Sequence, residues 1–163
     1  MDRDRAFVSY SHRDRAWLDR LLEHMAALER WQLVETWSDQ RIGLGADWER
    51  EITEALAAAR IAVLLVSPGF LASKYIWQDG GEMDHIRRHE AEGMLVLPLI
   101  VRPCAWRLEE DLAGRQARPP AGRALSGLTE SQVDAELAAF VYELAGMLGR
   151  LPMEAVVQVR EGT

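Results

Sequence analysis

The chain has 163 residues, 48% of them apolar and 28% charged, the balance of a soluble globular domain. Its formal net charge is −7 and Arg87-Arg88 is its only adjacent basic pair, which argues against nucleic acid or an anionic membrane as partner. A single cysteine, Cys104, excludes an internal disulfide and a Cys-based zinc site; with no apolar run near the ~20 residues that span a bilayer and no signal-like start in MDRDRAFVSYS, the expected setting is cytoplasmic.

A short first strand, Ala6-Phe7-Val8, runs into Ser9-Tyr10-Ser11. Trp17, Leu18, Leu21, Leu22, Met25 and Leu28 then recur at helical spacing, predicting an amphipathic helix over about 14–29 with Asp14 as its cap. A weak strand over 32–36 leads into the polar loop WSDQRIGLGAD. Asp47 is expected to cap a second helix over 48–59, with Ile52, Ala55, Leu56 and Ala59 on one face. Residues 61–66 are apolar throughout, as in a strand buried on both faces at the centre of a parallel sheet. Ser67-Pro68 stops that strand, and a loop and helix run on to about Glu92, with Gly93 as the helix stop.

Residues 94–101 form a second all-apolar strand, in which Pro98 favours an edge or a bulge. One short helix is expected near 107–113 within an otherwise irregular stretch. A last helix over 129–149, capped by Thr129, carries Val133, Leu137, Phe140, Val141, Leu144 and Leu148 on one side. Residues 1–150 read as the domain and 151–163 as a tail or linker. Alternating strands and helices imply right-handed crossovers and helices on both sheet faces. Ligands of such folds sit beyond the C-terminal strand ends, here SYSHRD, TWSDQRIGLGAD, SPGFLASKYIWQD and VRPCAW.

Those exits, extended to FVSYSHRD, WSDQRIGLGADWEREI, IAVLLVSPGFLASKYIW and LPLIVRPCAW, resemble the TIR family in order and spacing from about Ala6 to Met147. The phrases SPxFLAS and RPCxW are similar to its bacterial type. The resemblance implies a flavodoxin-like, doubly wound α/β fold with a mostly parallel sheet of four to five strands and helices on both faces. It implies hydrolysis of the nicotinamide–ribose bond of NAD+ to nicotinamide and ADP-ribose or its cyclic form. Activation by self-association, other TIR domains and a fused or separate sensor domain as partners, and a use in anti-phage defence or signalling are implied too. The alternative is a non-catalytic TIR–TIR interaction module.

The resemblance also implies a catalytic Glu early in the helix after the third strand. Glu82, in GGEMDHI, is the favoured candidate; Asp79 is the alternative when counting without gaps from SKYI. The Gly80-Gly81 pair departs from the family pattern. Substrate contacts are implied for Ser9 and Tyr10 after the first strand, Ser67 after the third, Tyr75 and Trp77 before the acid, and Arg41 and Gly43 in the loop. Self-association is implied for Trp37, Asp39, Ile42, Leu44 and Gly45. Each has a plain structural reading beside it: a helix-dipole acid, turn hydroxyls, rim or core aromatics and a solvated loop.

GLGADW is no dinucleotide fingerprint, because Trp48 stands at its third Gly position and no first strand precedes it. NAD+ is therefore expected as a substrate, with no cofactor and no metal. His85 and His89, four apart, are read as solvated helical polarity. Ser11, His12 and Asp14 are too close in sequence for a hydrolase triad, and Cys104 is expected to pack after the fourth strand. A receiver domain is disfavoured because Ser9-Tyr10-Ser11 stands where an acidic pair should follow the first strand. A nucleoside deoxyribosyltransferase-like enzyme is a related runner-up.

Overall fold

A strand as apolar as Ile61–Val66 needs cover on both sides, and the tertiary structure supplies it. The computed structural model describes residues 5–30, 35–38 and 47–148, the second strand by its backbone alone. Four strands, β1 (Arg5–Ser9), β2 (Glu35–Ser38), β3 (Ala59–Val66) and β4 (Leu95–Ile100), form one sheet in the order β2-β1-β3-β4. All three pairings are parallel. The fold is thus the expected α/β class, with four strands among the described residues.

The period-2 geometry of β3 divides its side chains between two cores. Ile61, Val63 and Leu65 pack with Ala6 and Val8 of β1 under α1 (Arg15–Arg30) and α7 (Glu130–Met147). Ala62, Leu64 and Val66 pack with Phe7 under α2 (Trp48–Ala58) and α5 (Glu82–Ala91). The stripes Leu18, Leu21, Met25 and Val133, Leu137, Phe140, Leu144 are buried, as their spacing predicts. Thr129 closes a capping box with Gln132 at the start of α7, satisfying two orphan donors. Gly93, at φ +108, ends α5.

Pro98 lies on the edge strand, as expected, and without a bulge: it pairs in register with Leu64. Its carbonyl accepts from Arg118 N (2.9 Å) on the outer side, so the missing N–H also faces away from β3 and the inner ladder loses nothing. The structure corrects two helix starts. Asp14 does not cap α1; it ends a 3-10 turn, His12–Asp14, capped by Ser11, and is itself buried. Asp47 stands before α2 without a side-chain capping bond, and pairs instead with Arg50 at 3.7 Å. The short helix expected near 107–113 is a 3-10 turn, Trp106–Leu108, followed by α6 (Glu110–Ala113).

Candidate functional site

Strand order places the site. The chain leaves β1 towards β2 on one side, and β3 lies on the other, so the exits of β1 and β3 diverge at the switch point. There a cleft of about 270 Å³ opens, lined by Tyr10, Ser11, His12 and Arg13 after β1 and by Gly69, Ala72, Ser73 and Tyr75 after β3. This is just below the range of about 300–1,000 Å³ usual for ligand pockets.

Next to that cleft the sheet end carries a buried carboxylate. Ser9, the last residue of β1, donates its hydroxyl to Glu82 Oε1 at 2.6 Å, and both residues are fully buried. Glu82 is the first residue of α5, where the helix dipole favours negative charge. The preceding glycines set its direction. Gly80 adopts φ +75, a left-handed conformation that other residues resist, and its N–H donates to Asp84 Oδ2 at 2.6 Å. Gly81 has an ordinary φ, but a Cβ there would lie 2.8 Å from the carbonyl oxygens of both Gln78 and Tyr75. Gly81 therefore packs the start of α5 tightly against α4 (Lys74–Trp77), after the left-handed turn at Gly80; Glu82 is buried there while Asp79 is exposed.

The sequence model of the TIR domain family matches residues 6–125, from β1 to the turn before α7. The chain belongs to the TIR domain family. An uncharacterized protein of Sinorhizobium fredii, y4lF, is 39% identical to this TIR domain over 100 residues, 61% of this chain and 31% of that protein. The chain thus spans less than a third of that relative's length. Among solved structures, the TIR domain of the Toll-related receptor TRR-2 from Hydra magnipapillata is similar at 19% identity and a TM-score of 0.43. That match covers 64% of this chain and 78% of that one.

The TIR-family candidates fall into distinct places. Tyr10 and Tyr75 line the cleft. Ser9 and Glu82 bond to each other and are not among its lining residues, and neither is Asp79. Ser67 is fully buried; its Oγ accepts from Phe70 N at 3.0 Å, capping α3 (Pro68–Ala72), and donates to Asp14 Oδ2. Trp77 donates from Nε1 to the carbonyl of Phe70 at 3.0 Å, with the two rings edge to face. Trp37 is described only as backbone in β2, opposite Phe7. Asp39, Arg41, Ile42, Gly43, Leu44 and Gly45 lie outside the described residues, as does the expected tail.

His85 and His89 are not solvated, contrary to the sequence reading: both are buried. His89 Nδ1 donates to the carbonyl of His85 at 2.9 Å. His85 packs edge-on to Trp48 of α2, which in turn meets Tyr75. Burial, then the nearby Arg88, hold the His85 imidazole below its usual pKa. Cys104 is partly buried against the core, and burial pushes its thiol up, away from nucleophile chemistry. Among the described residues no group of three His, Cys, Asp or Glu could hold a metal ion, and no helix is long and apolar enough to cross a membrane. Sequence reasoning missed Ser11, His12, Arg13, Gly69, Ala72 and Ser73 as cleft residues, although SYSHRD and SPGFLASKYIWQD had marked their segments.

Proposed function

We propose that this TIR domain hydrolyses the nicotinamide–ribose bond of NAD+ when assembled with further copies of itself. One observation carries the reading: the inward carboxylate of Glu82, held by Ser9 at the switch point of the sheet, beside the cleft. The C1′–N bond breaks with its electron pair leaving on nicotinamide, which departs neutral and needs no general acid. An oxocarbenium-like ribose remains, and a carboxylate next to it stabilises the developing positive charge. Water adds to C1′ and releases a proton, giving ADP-ribose; capture by the adenine gives the cyclic form. NAD+ is a substrate in this scheme and no cofactor is needed.

Glu82 is fully buried and outside the cleft lining, so the reading requires the cleft wall to move before ribose meets the carboxylate. Assembly with other TIR domains is the step we assign to that movement. A cytoplasmic effector in defence or signalling, coupled to a sensor domain, is the matching role. The 31% coverage of the Sinorhizobium relative supports a domain that works inside longer proteins. The same burial favours a second reading, a TIR–TIR adaptor without chemistry.

Nicotinamide release from NAD+ by concentrated protein separates the two. The hydrolase reading expects turnover in the wild type and a loss of about 100-fold or more in Glu82→Ala and Glu82→Gln, with unchanged circular dichroism. Activity retained in both, and lost in Asp79→Ala, would move the role to Asp79. No turnover in any assembled state would leave the adaptor.

A further inference from the structure

Glu82 stands midway in a loop, residues 80–84, that a side chain closes. Gly80 N donates to Asp84 Oδ2 at 2.6 Å, so the proposed catalytic carboxylate sits between two residues tied to each other. Gly80 enters the loop at φ +75, and Asp84 lies in the first turn of α5. Its carboxylate reaches back to an amide ahead of the helix, in the manner of a capping box. That bond engages one oxygen of Asp84. The other is held from a distant part of the chain.

Arg87, one turn further along α5, donates from Nη1 to Asp84 Oδ1. The rest of its guanidinium is forked onto α6: Nε and Nη2 both donate to Asp111 Oδ2, at 3.0 and 2.5 Å, across 24 positions of sequence. The bond to Asp111 is the leading cause that holds Arg87 above its ordinary pKa, and the same bond holds the Asp111 carboxyl below its own, against a smaller opposing effect of burial. α6 is itself anchored on α5. Leu112 is fully buried in the core that contains Met83 and Ile86, and Arg115 donates from Nε to Glu90 Oε2 at 2.9 Å. The segment after β4 thus reaches the loop around Glu82 through one guanidinium, from Asp111 to Arg87 to Asp84 to Gly80. A planar head with five donors can span two carboxylates at fixed angles, whereas an ammonium is a point charge.

We infer that Arg87 is a positioning residue for Glu82: it holds the 80–84 loop from α6, and through that loop sets where the carboxylate stands. The inference rests on the hydrolase reading for its catalytic consequence, while the buttress itself is read without turnover. Its contribution to global stability is small. The side chains are partly exposed, at 44% for Arg87, 31% for Asp84 and 25% for Asp111, and ion pairs so exposed add little. Placement of a reacting group is far more sensitive, since a displacement of about 1 Å costs on the order of 100-fold in rate. The effect belongs to kcat, because none of the three residues lines the cleft.

Amide exchange at Gly80, followed by NMR on the 163-residue chain, reads the loop, and nicotinamide release reads its consequence. Arg87→Met keeps an apolar stem and removes the fork. It speeds Gly80 exchange by about tenfold or more while the amides of β3 keep their protection. It lowers kcat by about tenfold or more, with KM within about twofold of wild type. Arg87→Lys keeps the charge and recovers only part of either loss. Asp111→Asn, which leaves the Arg87–Asp84 pair in place, gives a smaller loss and adds nothing to Arg87→Met, because both cut the same chain of bonds. Unchanged Gly80 exchange in Arg87→Met overturns the inference, and so does a wild-type kcat. A kcat loss matched by lost protection throughout β3 overturns it as well, by reducing Arg87 to a structural role. Should the wild type release no nicotinamide, the hydrolase reading falls, and Gly80 exchange alone decides whether Arg87 holds the loop.

Discussion

The Ser9–Glu82 bond joins residues 73 positions apart and ties the end of β1 to the start of α5. A buried hydroxyl donating to a carboxylate is worth more than an average hydrogen bond. Ser9→Ala is therefore expected to lower stability by about 1–3 kcal/mol, read by urea denaturation, and to cut nicotinamide release by loosening the carboxylate. Full activity with unchanged stability would show the bond to be dispensable. Gly81→Ala acts on the same carboxylate from the other side. Its Cβ would lie 2.8 Å from the carbonyl oxygens of Gln78 and Tyr75 and 3.0 Å from that of Ile76. The start of α5 must shift, at about 1–3 kcal/mol for overpacking of this kind. Gly80→Ala is strained instead by its positive φ, with open space around it. Of the two, the variant at Gly81 is the one expected to displace Glu82.

At the scale of elements, α2 and α5 share a buried aromatic contact with a titratable group inside it. His85 Nε2 and Trp48 Nε1 are buried without hydrogen-bond partners among the described residues, and Glu49 Oε1 lies 3.9 Å from His85 Nε2. Burial first, then Arg88 and His89, lower the His85 pKa from 6.5, while Glu49 and Asp84 oppose them. The unfolded chain thus binds this proton more readily than the native state. The stability contribution is complete above about pH 6.5 and is lost as the pH falls from there through the lower native value. Urea midpoints measured between about pH 7.5 and about pH 5 are expected to fall less in His85→Phe than in the wild type. The variant should equal or exceed the wild type at neutral pH, because an apolar ring removes a buried polar atom without a partner. Identical pH profiles would show that His85 does not titrate in this range.

For the whole molecule, the governing fact is that the carboxylate proposed for catalysis is enclosed within a single copy. If assembly opens the cleft wall, the rate of nicotinamide release rises more steeply than in proportion to protein concentration, following mass action for association. Specific activity followed over about a hundredfold range of concentration, alongside light scattering, tests this. Constant specific activity would mean that one copy opens by itself. The two cores make that opening a local matter. The sheet and its four long helices are locked by alternating apolar faces, while the cleft is built from turns and the short helices α3 and α4, where local opening is least costly.

Much of this was legible in the sequence because it depends on neighbours along the chain. The helical stripes of α1 and α7, the apolar run Ile61–Val66 of β3, the Thr129 cap and the edge position of Pro98 all follow from periodicity or from the chemistry of one residue. The four strand exits were legible for the same reason, and with them the segments that carry the cleft. Contacts between distant segments were not. Asp14 reads as a helix cap until Ser67, 53 positions away, takes its carboxylate. His85 and His89 read as surface polarity until α2 is laid over α5. Spacing cannot tell which acid turns inward, because a left-handed Gly80 and a close-packed Gly81 decide it in three dimensions. Local pattern fixes which face of an element is apolar, whereas partner, burial and charge at the sheet end depend on which loops the β2-β1-β3-β4 order brings together.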